Sequence, residues 1–155
     1  MPHPPEEIRD AYRRYVATRD RIEAGELGWD ALAEFFTADA VFIDPAWGRV
    51  DGLPAITKFL SESMAGLEDW TFPEAWTMVE DDRLVSFWWN RLGGKRADGT
   101  PYQAPGISIL EYAGGGKFKS ELDILNMAQV NELIRESGWR PPANFNMPPK
   151  NPRRQ

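Results

Sequence analysis

The sequence predicts an α+β fold: N-terminal helices packed on a strongly curved antiparallel sheet, closing a cone-shaped α+β barrel around a central hydrophobic pocket. Three observations predict it. Apolar residues recur at helical spacing up to Gly66 and at strand spacing after it. Glycine clusters at 93–94 and 114–116 cut the second half into strand-length runs. Seven tryptophans in 155 residues exceed what a small solid core needs, so some rings are expected to line a cavity.

The elements follow in order. Pro5 to Ala24 reads as a helix, with prolines and Glu6 and Glu7 suiting its first turn and Gly25 ending it. Ile8, Tyr12, Tyr15 and Ile22 form its apolar stripe, with Val16 beside them. Trp29 to Phe36 reads as a second, shorter helix, and Val41 to Asp44 as a strand. Gly52 to Ala65 is expected to be a third helix, started by Pro54 and closed by Gly66, with Ile56, Phe59, Leu60 and Met64 buried. Trp70–Val79, Arg83–Leu92, Tyr102–Tyr112 and Lys117–Asn126 read as strands, and the last three form an antiparallel meander. Met127 to Ser137 is a final helix stopped by Gly138. Residues 1–139 are expected to form one domain. Residues 140–155 are Pro-rich and basic, an irregular tail free to wrap the body or a partner.

Composition narrows function. A net charge of −6 argues against a nucleic-acid partner. No run is long enough for a membrane span, and the first residues carry no apolar signal segment, so a cytoplasmic location is expected. There is no cysteine, and the one histidine, His3, sits among prolines near the N-terminus. Thiol catalysis, a Ser-His-Asp triad and a His/Cys metal site are therefore not expected. No cofactor is implied, and acid–base work falls to Asp, Glu, Tyr or Lys.

Asp44 is the best-placed acid. Pro45 holds it extended, and Val41, Phe42, Ile43, Ala46 and Trp47 surround it with apolar groups. It is expected either to face a pocket as a base, where desolvation raises its pKa, or to cap its own turn. Tyr15 reads either as a core tyrosine or as a pocket donor. In Phe118–Leu125, alternation puts Glu121, Asp123 and Leu125 on one face and Leu122 and Ile124 on the other, without saying which face turns inward. Of the adjacent Trp88 and Trp89 one must face in and one out. With Trp88 inside, Asn90 follows it and Arg91 faces outward. A tryptophan on the outer sheet face would make an apolar patch suited to a homodimer. The Gly114-Gly115-Gly116-Lys117 run lacks the Ser/Thr and helix of a phosphate loop and reads as a hairpin turn.

The run ALAEFFTADAVFIDP leading into GRVDGLPAITKFL resembles the nuclear transport factor 2-like (SnoaL-like) superfamily, and within it the ketosteroid isomerases. The resemblance covers Glu6 to Ile134. It implies Asp44 as general base, removing a proton alpha to a ketone, and Tyr15 as donor to the oxyanion. It places Asp123 inside the pocket. Where that family has a protonated aspartate beside the tyrosine, this chain has Ser108, a weaker donor, and one good oxyanion donor is worth about 3–4 kcal/mol.

The function expected is a cofactor-independent enzyme of isomerase, cyclase or dehydratase type, acting on a hydrophobic cyclic ketone-like molecule. Asp44, Tyr15 and Asp123 would be catalytic; Ser108, Trp47, Trp76, Trp88 and Asn90 would contact substrate. One alternative is an epoxide hydrolase using Asp44, Asp123 and Arg91. Another is a non-catalytic binding module whose cone holds a metabolite or is filled by its own rings.

Overall fold

A computed structural model describes all residues, 1–155. Helix α1 (Pro5–Glu23) begins at its proline, carries Glu6 and Glu7 in its first turn, and buries Ile8, Ala11, Tyr12, Tyr15, Arg19 and Ile22. The next element, Trp29–Phe35, is a 3₁₀ helix rather than the expected α-helix. Seven residues are too few to establish an α-helical ladder, and Phe36 is already extended.

Strand β1 (Phe36–Asp44) starts five residues earlier than the alternation suggested, because Phe36 pairs with Phe118 before an irregularity restores the register at Val41. It turns through Pro45–Trp47 into a short strand, β2 (Gly48–Asp51), which the sequence reading missed. Four residues with little apolar content carry almost no periodic signal. Helix α2 (Leu53–Met64) buries Ile56, Phe59 and Leu60. Strands β3 (Glu74–Glu80), β4 (Arg83–Lys95), β5 (Pro101–Gly114) and β6 (Lys117–Leu125) follow. Trp70, expected to open β3, is instead buried in the preceding segment. Helix α3 (Met127–Ser137) ends the ordered elements. Asn126 accepts from the backbone N–H of Gln129 at its start, and Gly138 turns left-handed (φ 72°) at its end. No helix is long and apolar enough to cross a membrane.

The six strands make one curved sheet in the order β2-β1-β6-β5-β4-β3. All neighbours are antiparallel except β1 and β6, which run parallel, so the sheet is mixed rather than purely antiparallel. The helices cover its concave face. Along β4, Leu84, Ser86, Trp88, Asn90 and Leu92 are buried inside, while Val85, Phe87, Trp89 and Arg91 alternate outward. The concave side holds two apolar clusters. One, around Ile8, Tyr15, Phe36, Leu84 and Phe118, lies under α1; the other, around Trp70, Leu92 and Leu133, lies under α3.

The tail is pinned to the body. Asn144 donates to Glu68 Oε1 and Asn146 to the carbonyl of Glu62, each at 3.0 Å. Further on, Arg153 pairs with Asp51, its carbonyl accepts from Arg49 N–H, and Arg154 Nη1 donates to the carbonyl of Pro45 at 2.9 Å. Residues 140–155 thus form a strap from the end of α3 to the turn that carries Asp44.

Candidate active site

Between the sheet and the helices lies a cavity of about 500 Å³, within the range of small-molecule sites. The cone is not filled by its own rings. Five of the seven tryptophans line it: Trp29, Trp47, Trp70, Trp88 and Trp139. So do Tyr15, Asp44, Asn90, Ser108 and Asp123, so these sequence candidates share one space.

Strand register builds the polar row. Ser86 pairs with Ser108 across β4 and β5, and Ser108 with Asp123 across β5 and β6. Two residues further along β4, Trp88 sits opposite Gly106, and its indole lies against that glycine so closely that a Cβ there would be 2.6 Å from the ring. Lacking a side chain, Gly106 lets Trp88 fold over β5, and its Nε1–H donates to Ser108 Oγ at 3.0 Å. The Ser108 hydroxyl donates to Asp123 Oδ1 at 2.6 Å. From the other side the Tyr15 hydroxyl donates to Glu121, at 3.1 and 3.3 Å, and Glu121 in turn bonds Asp123. Two relays therefore converge on Asp123. Both acids of β6 face inward, and Ile124 is exposed on the outside.

Burial drives the electrostatics. It holds the Glu121 carboxyl well above its usual pKa, reinforced by the Asp123 charge and by their mutual bond. Asp123 is pushed up to about 7, first by burial and then by Asp44, while the Ser108 and Glu121 bonds pull the other way. Asp44 is raised by burial against the backbone N–H groups of Trp47 and Ala46, which donate to its Oδ1 at 2.7 and 2.8 Å. Asp44 Oδ1 caps the Pro45 turn, and the carboxyl also lines the cavity, with no protein partner at Oδ2.

Other placements depart from expectation. Trp76 does not line the cavity: it sits on the outer face of β3, 47% exposed and stacked on Phe87 at 5.4 Å, because Thr77, not Trp76, is on the inward side of the strand. Arg91 faces outward and donates to Gln103 at 2.8 Å, so the Asp-Arg-Asp set proposed for epoxide opening is not assembled. The Tyr15 proton, assigned by resemblance to a substrate oxygen, is engaged by Glu121. Asn90, 2% exposed and lining the cavity, has no protein partner for its amide.

The sequence reading missed Arg19. It lies four residues after Tyr15 on the buried stripe of α1, and Nη2 pairs with Glu74 at 2.9 Å. Beside it the Tyr12 hydroxyl donates to Ser86 at 2.8 Å, and Ser86 is bonded to Glu74. A charged residue in phase with an apolar stripe was the available signal. The tail, expected to wrap the body or a partner, wraps the body, and what the sequence reading missed is that Trp139, Pro141, Phe145, Met147 and Pro148 line the cavity. No group of His, Cys, Asp or Glu side chains is placed to hold a metal ion.

Comparison with known proteins agrees with this architecture. A protein from Jannaschia sp. CCS1 assigned as a SnoaL-like polyketide cyclase superposes with a TM-score of 0.65 at 16% identity, covering 86% of this chain and 96% of that one. TerC, crystallised with polyporic acid, superposes at 0.61 and 20% identity, covering 83% and 98%. A protein of ketosteroid isomerase-like fold from Catenulispora acidiphila gives 0.54 at 21% identity, over 76% and 85%. At these identities the likeness is one of fold. Among curated proteins none matches the sequence. A SnoaL-like domain profile matches residues 12–120, most of the chain, and the protein belongs to the SnoaL-like family, within the nuclear transport factor 2-like fold.

Proposed function

We propose that this chain is a cofactor-independent acid–base enzyme that enolises a hydrophobic, cyclic carbonyl compound, chemistry of the isomerase, cyclase or dehydratase type. The observation that carries the reading is the double relay, Tyr15 to Glu121 and Trp88 to Ser108, ending on Asp123 in an aromatic cavity. A base is most effective with a pKa near the working pH, and Asp123 sits at about 7. Asp123 takes the proton from the carbon alpha to the carbonyl, the C–H electron pair moves into the new C=C bond, and the carbonyl oxygen becomes the enolate oxygen. The Asn90 amide, an unengaged donor lining the same cavity, binds that oxygen. The Asp123 carboxylic acid then returns the proton, to the same carbon or to a conjugated one. Asp44, on the neighbouring strand β1 in the register that pairs Phe42 with Glu121 and Ile43 with Leu122, keeps the region polar. That TerC, of the same fold, was crystallised with polyporic acid is consistent with a small-molecule site.

The test is exchange of α-hydrogen for deuterium in D₂O, followed by NMR on a panel of cyclic ketones such as 2-decalone. Wild type should exceed the buffer rate, and Asp123→Asn should lose roughly 100-fold or more, in line with one general base. No exchange across the panel, or full exchange in Asp123→Asn, overturns the reading.

A further inference from the structure

The charge balance inside the cavity selects among hydrophobic ligands. Among its lining residues the one cation is Arg19, and Glu74 already meets it at 2.9 Å. Glu121 is spent on Tyr15 and Asp123. What faces the open space is Asp44 Oδ2, without a protein partner, and the Asp123 carboxylate. The donors bonded into the acids' own network are committed, Tyr15 to Glu121, Ser108 to Asp123 and Trp88 to Ser108, while Arg19 Nε and Trp70 Nε1 are without a partner, the first on a guanidinium already paired with Glu74 and the second on a neutral indole. An anionic ligand would meet two carboxylates at short range in a water-poor space, where repulsion is strong. A neutral one would leave those carboxylates desolvated and uncompensated.

The independent second observation is Asn90. It is buried to 2% exposure, lines the same cavity, and no protein group meets its amide, so its oxygen is a further unclaimed acceptor and its NH₂ an unclaimed donor. The walls complete the picture, since indole faces attract cations and Trp29, Trp47, Trp70, Trp88 and Trp139 surround the space.

We infer that the site takes a hydrophobic organic cation, a carbonyl compound bearing a protonated amine, with the ammonium held between Asp44, Asp123 and the tryptophan walls. This rests on the enolisation reading and deepens it. Tyr15 and Ser108 are both engaged by carboxyl groups, and the one cation in the lining is already paired with Glu74, so the chain brings no free positive charge to an enolate oxygen. A substrate carrying its own positive charge supplies the missing stabilisation.

The test uses three probes with one skeleton, 4-phenylbutylamine, 4-phenylbutanol and 4-phenylbutyrate, titrated into the full-length protein at pH 7.5 by calorimetry and tryptophan fluorescence. The amine should bind at least tenfold more tightly than the alcohol, and the carboxylate should not compete. Asp44→Asn keeps the acceptor oxygen for the turn and should lower amine affinity far more than alcohol affinity, erasing most of the amine's advantage. Asp123→Asn serves as a second variant should the first fail to fold. Equal or tighter binding of the alcohol overturns the inference, as does an amine preference that survives both substitutions. The two readings fail separately: exchange of neutral ketones without an amine preference removes only this inference, and an amine preference without exchange removes only the enolisation.

Discussion

Asp123 should be a liability to the fold, and Asp123→Asn tests that directly. Its pKa rises from 3.8 to about 7 in the folded protein, so between those values the folded state binds more protons than the unfolded one. Stability therefore falls as pH rises through this window, and the penalty is complete above the folded pKa. A rise of about three pH units, at about 1.36 kcal/mol each, sets an upper bound of about 4 kcal/mol. Asparagine keeps an acceptor for Ser108 but gives up a charge-assisted bond, so about half of the bound is a reasonable expectation. In a chain of this size about 2 kcal/mol corresponds to roughly 4–8 °C in Tm.

Thermal unfolding of both proteins, followed by far-ultraviolet circular dichroism at pH 4, 6 and 8, is the assay. Asp123→Asn should melt higher than wild type at pH 8, and the two should converge at pH 4, where the aspartate is protonated in the folded state. Wild type should lose more stability than the variant between pH 4 and pH 8. A variant no more stable at pH 8, or one whose gain is the same at pH 4, would refute the claim that Asp123 is held ionisable in a desolvated place.

Two further outcomes concern the surface. On the outer sheet face Trp76, Met78, Phe87, Trp89, Ile107 and Ile124 form a continuous apolar area across β3 to β6. We propose a second copy of the chain as its occupant, because a two-fold contact needs only one self-complementary patch. Sedimentation should show a dimer that Trp89→Asp reduces to monomer, and a monomeric wild type would end the proposal. Under the strap, Gly66 (φ 86°) sits so close to Phe145 that an added Cβ would lie 2.8 Å from the Phe145 Cα. Gly66→Ala should loosen residues 140–155 and speed tryptic cleavage at Lys150 several-fold; unchanged cleavage would show that the strap is not fastened there.

What was legible in the sequence was what local rules decide. Helix α3 came out with its true ends because Asn126 and Gly138 punctuate it, and α1 began at its proline for the same reason. The placement of Trp88 and Asn90 inside and Arg91 outside followed from alternation once one tryptophan was assigned inward. The inward face of β6 could not be read locally. It is set by parallel pairing with β1 and by the Tyr15–Glu121 bond, which joins residues 106 positions apart. The strap's course was illegible for a similar reason. Its contacts, such as Arg154 with Pro45, span 109 positions, and its composition resembles that of a disordered tail. Arg19 was hidden by a different conflict: a guanidinium on an apolar stripe violates the pattern, and only Glu74 on a distant strand accounts for it.

The two cavity carboxylates differ in a way that bears on their division of labour. Asp44 is desolvated, but two backbone N–H groups fixed by the Pro45 turn hold its charge at Oδ1. Such dipoles cannot rotate away, so they favour the anion. Asp123 is desolvated more deeply, and its donors are a hydroxyl and a carboxyl, which can reorient or yield a proton as its charge changes. It also feels Asp44, and each charge there makes the other harder to form. The charge of one group is thus met by fixed dipoles, and that of the other by partners that can reorient. In paired-carboxylate sites it is this splitting of proton affinities by environment that separates acid, base and electrostatic roles. In the enolisation proposed above the proton would therefore move at Asp123, while Asp44, which looked from the sequence like the natural base, would set the field in which it moves.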